Sequence, residues 1–314
     1  MKKKYILTGG SGFLGKAIAT SLLKKNNKVI IVDNNFRNKK SYITNDKNLK
    51  VYNVDIRDKI RLKKICKKVD VVIHLAFING TNFFYEKPEL VLDVAVKGII
   101  NILEICKENK IKEFFLASSS EVYQEPAKIP TDEKVPLTIP DPKNPRYSYA
   151  TGKIVSEVML LNTNFFKRAV IFRPHNIYGP DMGYNHVIPE IILKISKSNK
   201  LITMEGNGQQ TRAFCYINDF VNAFNLLLIK AEHKNIYNIG TEDEIKIKDL
   251  VNKIVNISKK NIKIKNSKEK LGGTSRRCPK ISKIKKIGFS PKTRIDDGLL
   301  KTFSWYTKDL KNEI

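Results

Sequence analysis

The sequence predicts an α/β fold: a doubly wound parallel sheet joined to a smaller C-terminal α/β domain. Three observations predict it. Residues 4–23 read as strand, tight turn and helix. Tyr5, Ile6 and Leu7 form a short apolar run, glycines follow at once, and Phe13, Leu14, Ala17, Ile18, Leu22 and Leu23 recur at helical spacing. The runs at 69–76 (VDVVIHLA) and 114–117 (FFLA) are almost continuously apolar, as parallel strands buried on both faces are. Strand and helix patterns then alternate as far as residue 161, the order expected of a sheet wound with crossover helices.

The first turn carries Gly9, Gly12 and Gly15, spaced G-x-x-G-x-x-G. In such a turn the first glycine makes the bend, the second admits a pyrophosphate close to the backbone, and the third lets helix pack on strand. The helix N-terminus adds N–H groups and a partial positive charge. The next strand, 28–32, ends in Asp33, 18 residues past Gly15 and 24 past Gly9, where a carboxylate that binds a ribose belongs. These residues make a candidate dinucleotide site in a Rossmann-type domain. A polar, asparagine-rich loop (34–48) leads to a strand at 49–54 and then to Asp55-Ile56-Arg57. Ile60, Leu62 and Ile65 mark a helix over 59–68, and Leu90, Leu92, Val96, Ile99, Ile100 and Leu103 mark a long one over 88–109. The strand 114–117 ends in Ser118, Ser119, Ser120 and Glu121. Ligands on such sheets bind beyond the carboxyl ends of the strands, so these residues either meet a ligand or form a hydroxyl-rich loop that caps the next element. Prolines between 126 and 145 predict a loop, and a helix follows with Ile154, Val155, Val158, Met159 and Leu161.

The 314 residues are 41% apolar, enough for a sizeable core. No apolar run approaches the ~20 residues that span a bilayer, and the basic start MKKK leads into a strand broken at Thr8, not into a signal peptide. Cys66, Cys106, Cys215 and Cys278 form no CxxC pair. That pattern indicates neither a metal site nor a disulfide framework, and it places the chain in a reduced, cytoplasmic setting. The net charge of +27 is spread along the chain and thickens over 246–286 without interleaved aromatics. It reads as a solvated lysine surface and not as a nucleic-acid interface, although its field draws anionic ligands inward.

Tyr149 and Lys153 are four residues apart and so share one helix face. A lysine there lowers the pKa of the phenol and makes tyrosinate available near neutral pH. The spacing alone is common. After a dinucleotide turn and a serine-ended strand it reads as a proton-transfer pair.

At this point the chain resembles the extended short-chain dehydrogenase/reductases, in the branch of NAD-dependent nucleotide-sugar epimerases, dehydratases and decarboxylases. The resemblance runs through TGGSGFLG, Asp33, Asp55-Ile56-Arg57, HLA at 74–76, SSSEVY at 118–123 and the Tyr149/Lys153 pair. It continues through RPHNIYGP at 173–180, QTRAFCYINDF at 210–220 and GGTSRRCPK at 272–280. It implies NAD as cofactor, with Gly9, Gly12, Phe13, Leu14, Asp33, Asp55, Ile56, Leu75, Ala76, Tyr149 and Lys153 around it. Tyr149 would be the base for a sugar hydroxyl, Lys153 would bind the nicotinamide ribose and tune Tyr149, and Ser119 would donate to the same sugar oxygen. Ser120 joins the substrate side, Asn176, Arg212 and Arg277 would hold the nucleotide diphosphate, and Cys278 would lie beside the sugar's C2 substituent unless it merely packs. Glu121 would sit on the rim and act near C5 and C6, unless it is a loop acid facing solvent. The implied organisation is a Rossmann domain over 1–174, to which the chain returns around 212–240, and a mainly substrate-binding domain over 175–314. A homodimer through the helices 88–109 and 147–161 is implied as well, with no membrane or nucleic-acid partner.

Three positions depart from the family pattern: Ala95 replaces a frequent asparagine, Phe77 follows HLA where alanine is usual, and Gln124 replaces a glycine after Val122-Tyr123. The chemistry implied is oxidation at sugar C4. The 4-keto product is then re-reduced on its other face, loses water across C5 and C6, or loses carbon dioxide from a uronic acid. Dehydratases carry Asp-Glu after the catalytic hydroxyl, and Ser120-Glu121 lacks that acid. SSSEVY, the glycine before Lys153 and GPDM at 179–182 look closest to the decarboxylases, but an epimerase needs least and forms the largest group, so the resemblance implies a nucleotide-sugar 4-epimerase, with UDP-glucuronate decarboxylation or 4,6-dehydration as alternatives. A non-catalytic NAD-binding regulator is a weaker reading, because such proteins commonly lack the tyrosine–lysine pair.

Overall fold

A computed structural model describes residues 2–36, 46–198, 200–268 and 274–312. The chain divides into two compact units. The first comprises residues 1–124, 137–174 and 221–237, and the second 125–136, 175–220 and 238–314.

The first unit is built on β1 (Lys4–Thr8), α1 (Phe13–Lys24), β2 (Lys28–Asp33), β3 (Leu49–Asn53), α2 (Lys59–Ile65), β4 (Val71–His74), α3 (Thr81–Glu86), α4 (Pro88–Glu108), β5 (Glu113–Ala117), α5 (Ser148–Leu161) and β6 (Arg168–Pro174). The chain returns to it through most of α7 (Ile217–Lys230) and the start of β11 (Asn235–Ile239). These strands form a seven-stranded sheet in the order β11-β6-β5-β4-β1-β2-β3, and each pairing from β3 to β6 is parallel. The apolar runs explain the topology. β1, β2, β4 and β5 are buried along almost their whole length because helices cover both faces. On one face Ile6, Val72, Phe114 and Ile171 pack with Ile99, Ile102 and Leu103 of α4 and Leu160 of α5. On the other, Phe224 of α7 meets Phe115 and Phe172 edge-on, at 5.9 and 5.1 Å between ring centroids. Such aromatic pairs add about 0.5–1.5 kcal/mol beyond the area they bury.

Strand order reverses between β1 and β4, the topological switch point at which doubly wound sheets bind ligands. Two glycines fix the helices near it. A Cβ on Gly15 of α1 would lie 2.6 Å from the Gly10 backbone, and one on Gly98 of α4 would lie 2.2 Å from Ile56 Cδ1.

The second unit contains β7 (Ile177–Tyr178), α6 (Val187–Lys197), β8 (Leu201–Glu205), β9 (Thr211–Ala213), β10 (Cys215–Tyr216), β12 (Glu244–Lys246), α8 (Ile247–Ser258), β13 (Lys263–Ser267), β14 (Arg276–Arg277), α9 (Ser282–Lys286) and α10 (Ile295–Asn312). Among the described residues it forms three small sheets: β10-β7, β12-β9-β14 and β13-β8. Tyr306 of α10 is fully buried; its hydroxyl accepts from Met182 N at 3.0 Å and donates to Gly183 O at 3.1 Å. The segment 125–136 is tied to this unit through Thr131, whose N–H donates to Cys278 O and whose carbonyl accepts from Lys280 N, both at 2.8 Å.

All four cysteines are buried thiols. Burial pushes Cys66 and Cys278 up to about 12 and raises Cys106 and Cys215 as well. Among the described residues no helix is long and apolar enough to cross a membrane.

Candidate active site

The glycine turn is shaped by contacts that only a missing side chain allows. Gly9 has φ +69°, and a Cβ there would come within 2.6 Å of the Ala76 backbone, just past β4. The loops after the two strands at the switch point are therefore in van der Waals contact. Gly12 caps α1 without a side chain, and a Cβ there would meet only Gly9 O, at 3.3 Å. The N-terminus of α1, with Phe13 and Leu14 half-buried in its first turn, is consequently approachable by an anion. Asp33 ends β2 beside this turn. Its Oδ2 accepts from Ser11 N at 3.0 Å and its Oδ1 from Asn35 N at 2.9 Å, which fixes the carboxylate at the rim. Leu75 N donates to Thr8 O at 2.9 Å, and Ala76 N donates to the Thr8 hydroxyl at 3.4 Å. Arg37, the cation nearest to Asp33 in the sequence, lies outside the described residues. The cradle that a Cβ would fill, the approachable helix end and the fixed carboxylate fit a dinucleotide.

Asp55 and Ile56 flank the same side of the sheet. Arg57 grips Asp55 through Nε at 3.0 Å and Nη2 at 2.8 Å, Asn34 adds a bond at 3.0 Å, and these hold the carboxyl down to about 2. Ile56 is buried against Gly98.

α5 brings Tyr149 and Lys153 together on a buried face. The Tyr149 ring stacks on Phe84 of α3 (5.0 Å, 26°) and meets Phe77 edge-on (4.9 Å, 78°). Lys153 is 3% exposed, and its Nζ donates to Ala117 O at 2.7 Å. That bond docks the helix on the end of β5, directly before the serines. Burial pushes Lys153 down to about 7, with the charge of Glu157 working in the opposite direction. His74, next to it at the end of β4, is pushed down to about 3 by burial and by the lysine, so it is neutral; its Nδ1 shares a 2.7 Å hydrogen bond with the Thr8 hydroxyl.

Ser119 is extended (φ −158°, ψ 156°) and caps a 3-10 turn over Ser120–Tyr123, its Oγ accepting from Glu121 N at 3.1 Å. Ser120 is buried, whereas Ser119 and Glu121 are half-exposed. Gln124, where the family has glycine, adopts φ +49° and binds Glu121 O through both its backbone and its side-chain N–H, at 3.2 and 2.7 Å. The left-handed conformation persists with a side chain because that side chain closes the turn.

A buried ion pair lies behind these groups, and the sequence reading did not single it out. Arg173, at the end of β6, binds Glu157 twice (Nε–Oε1 2.8 Å, Nη2–Oε2 2.5 Å) and reaches the Tyr123 hydroxyl at 2.7 Å. Both charged side chains are 2% exposed. Burial works against the Arg173 cation, but the bonds to Glu157 and Tyr123 outweigh it and raise its pKa. The pair joins the helix of Tyr149 and Lys153 to the turn of Ser119. Its one signal in the sequence is that Glu157 follows Lys153 by four residues on one helix face.

The remaining substrate candidates lie in the second unit. Asn176, at φ +42°, donates from Nδ2 to Ala213 O at 3.3 Å. Arg212 and Arg277 are register partners on the adjacent strands β9 and β14. They share an anchor: Arg212 Nη2 donates to Thr274 O at 2.7 Å, and Arg277 Nη2 to Thr274 Oγ1 at 3.0 Å. Residues 65 positions apart in sequence thus present two guanidiniums from one small sheet. Cys278 follows directly and is buried, its Sγ 3.6 Å from Glu242 O and 3.7 Å from Pro279 O.

Comparison with known proteins fits this geometry. The model of the NAD dependent epimerase/dehydratase family matches residues 5–240. A dTDP-D-glucose 4,6-dehydratase of Dictyostelium discoideum is 34% identical over 279 residues, covering 82% of this chain but 62% of that protein, so the chain spans less than two thirds of that relative's length. A UDP-N-acetyl-alpha-D-glucosaminuronate decarboxylase of Bacillus cytotoxicus is 32% identical over the full length of both chains. Among solved structures, a UDP-N-acetylglucosamine 4-epimerase from Methanobrevibacter ruminantium superposes with a TM-score of 0.88 at 28% identity, covering 98% of this chain and 100% of the other. Sheet order, glycine cradle, tyrosine–lysine pair and family match agree: the chain belongs to the NAD-dependent epimerase/dehydratase family.

Proposed function

We propose that this NAD-dependent enzyme is a nucleotide-sugar 4-epimerase that works through a 4-keto intermediate. The observation that carries the reading is the buried Tyr149/Lys153 pair, held at the end of β5 by the bond from Lys153 to Ala117 O. Tyr149 takes the proton of the C4 hydroxyl as the C4–H bond breaks. Lys153 stabilises the phenolate through its charge and would donate to the ribose of a bound cofactor. Ser119, extended at the start of its turn, donates to the same sugar oxygen and orients it. Asp33 and the glycine turn would hold NAD, which would supply hydride acceptance and return. Arg212 and Arg277 suit a diphosphate, because planar guanidiniums pair bidentately with phosphate oxygens. A homodimer through α4 and α5 belongs to the same reading, and Val158 of α5, 54% exposed, supports it.

Epimerisation asks least of the residues beside the serine. Ser120 stands where a dehydratase has its acid, and a buried hydroxyl cannot protonate a leaving water. Decarboxylation is the second reading, favoured by Glu121 at the rim and by the full-length likeness to the Bacillus decarboxylase. NMR and mass spectrometry of products from UDP-glucose, UDP-N-acetylglucosamine and UDP-glucuronate separate them. A simple 4-epimer that survives Glu121→Gln establishes the epimerase; carbon dioxide released by the wild type and lost in Glu121→Gln establishes the decarboxylase. Tyr149→Phe should lower turnover about 10²- to 10⁴-fold with NAD still bound. A variant that keeps more than a tenth of the wild-type rate refutes Tyr149 as the base.

A further inference from the structure

Two departures in the sequence meet a glycine of α5 at one contact. Phe77 replaces the alanine usual after HLA, Ala95 replaces a frequent asparagine, and Gly152 precedes Lys153. A Cβ on Gly152 would lie 2.6 Å from the Ala95 methyl and 2.9 Å from Phe77 Cζ. The ring of Phe77 therefore fits against α5 only because position 152 has no side chain, and Ala95 of α4 closes the same space. The wedge points at the chemistry. Lys153 Nζ sits 4.0 Å from the Phe77 centroid, within cation–π range, and the Tyr149 ring meets Phe77 edge-on at 4.9 Å.

We propose that Phe77 is a positioning residue of the reaction: its face holds the ammonium of Lys153, its ring holds Tyr149, and so it keeps the lysine cationic and the phenol acidic. This rests on the reading of Tyr149 as the base.

The surroundings of Lys153 make such a neighbour count. The ammonium donates to the Ala117 carbonyl of β5, and from β4 it faces the neutral His74. On its own helix it has Tyr149 and Glu157, and the carboxylate of Glu157 is engaged by Arg173 of β6. Burial works against the ammonium, while Glu157 favours it. A π face in a desolvated site also favours it without adding a competing proton acceptor. Ala95 cannot donate or accept through its side chain. The aromatic contact of Phe77 falls on the two groups read as moving the proton.

The test removes the ring in one variant and weakens its π face in another. Phe77→Leu removes the π face and keeps an apolar side chain. Incorporation of 3,5-difluorophenylalanine at position 77 weakens the π face and preserves the shape, so it covers the case in which Phe77→Leu fails to fold. The readout is the ultraviolet absorbance of tyrosinate against pH, with and without NAD, after subtracting the same protein carrying Tyr149→Phe. It needs no turnover. The expected result is a rise of about one unit in the Tyr149 titration midpoint for Phe77→Leu, a tenfold loss of tyrosinate at fixed pH, with a smaller rise for the difluoro ring. The acidic limb of the kcat profile should move by the same amount while KM for the nucleotide sugar stays within twofold. Titrations of both variants that superpose on the wild type overturn the proposal. If Tyr149→Phe abolishes turnover and the titrations superpose, only the role of Phe77 falls; if Tyr149→Phe keeps its rate, the base assignment falls instead.

Discussion

Removing the carboxylate of Glu157 should strongly destabilise the first unit. Glu157→Leu leaves the Arg173 guanidinium 2% exposed, stripped of two charge-assisted bonds and retaining one, to the Tyr123 hydroxyl. An uncompensated buried charge of this kind costs about 3–5 kcal/mol. For a unit of this size that is a drop of roughly 6–20 °C in Tm, at about 2–4 °C per kcal/mol. The same arithmetic makes a second demand. Replacing all three partners with apolar groups, as Glu157→Leu with Arg173→Met and Tyr123→Phe, leaves nothing unsatisfied and should recover to within about 2 kcal/mol of the wild type. Thermal and urea unfolding of the single and triple variants measure this non-additivity directly. The triple variant should nonetheless be a poorer enzyme, because Lys153 loses the anion that favours its cation. A single variant that loses less than about 1 kcal/mol, or a triple variant as unstable as the separate losses combined, would refute the argument.

Gly9→Ala should weaken NAD at least a hundredfold in calorimetric titration, since the residue has φ +69° and its Cβ would lie 2.6 Å from backbone atoms of Ala76; unchanged affinity would contradict the cradle. Asp33 should enforce NAD over NADP, its fixed carboxylate accepting from a ribose hydroxyl and repelling a 2′-phosphate, so Asp33→Ser should narrow the preference at least tenfold; equal binding of both cofactors by the wild type would show otherwise. The pH dependence follows from Lys153. Its folded pKa is lowered to about 7 from 10.5 by burial, so between those values the unfolded chain binds the extra proton and stability rises with pH. With NAD stripped, stability should climb by close to 1 kcal/mol per pH unit from about pH 7 to 9 relative to Lys153→Met. Parallel curves for the two proteins would refute the lowered pKa.

The sheet was legible because its strands carry the plainest signal there is. The strands VVIH (71–74) and FFLA (114–117) are buried on both faces and lie in nearly continuous apolar runs, and the glycine turn lies between a strand and a helix as its spacing requires. α3 was not read: six residues are too few to show a helical period, yet Phe84 within it stacks on Tyr149. Nor could the Arg173–Glu157 pair be read, because it joins the end of β6 to the interior of α5 and periodicity is blind to tertiary partners. Phe77, Ala95 and Gln124 were visible only as departures. Packing around Gly152 accounts for the first two, and the closed turn at Glu121 for the third. Arg212 and Arg277 stood in separate motifs, and only strand pairing makes them neighbours.

The four buried thiols divide evenly, Cys66 and Cys106 in the first unit, Cys215 and Cys278 in the second. Each is shielded from reagents and held protonated, so none reacts until its surroundings open. The molecule thus carries an internal clock for each half. Alkylation followed by peptide mass spectrometry, with and without a nucleotide or a nucleotide sugar, would time the breathing of the two units separately. It would show which ligand stills which half, with no engineered probe.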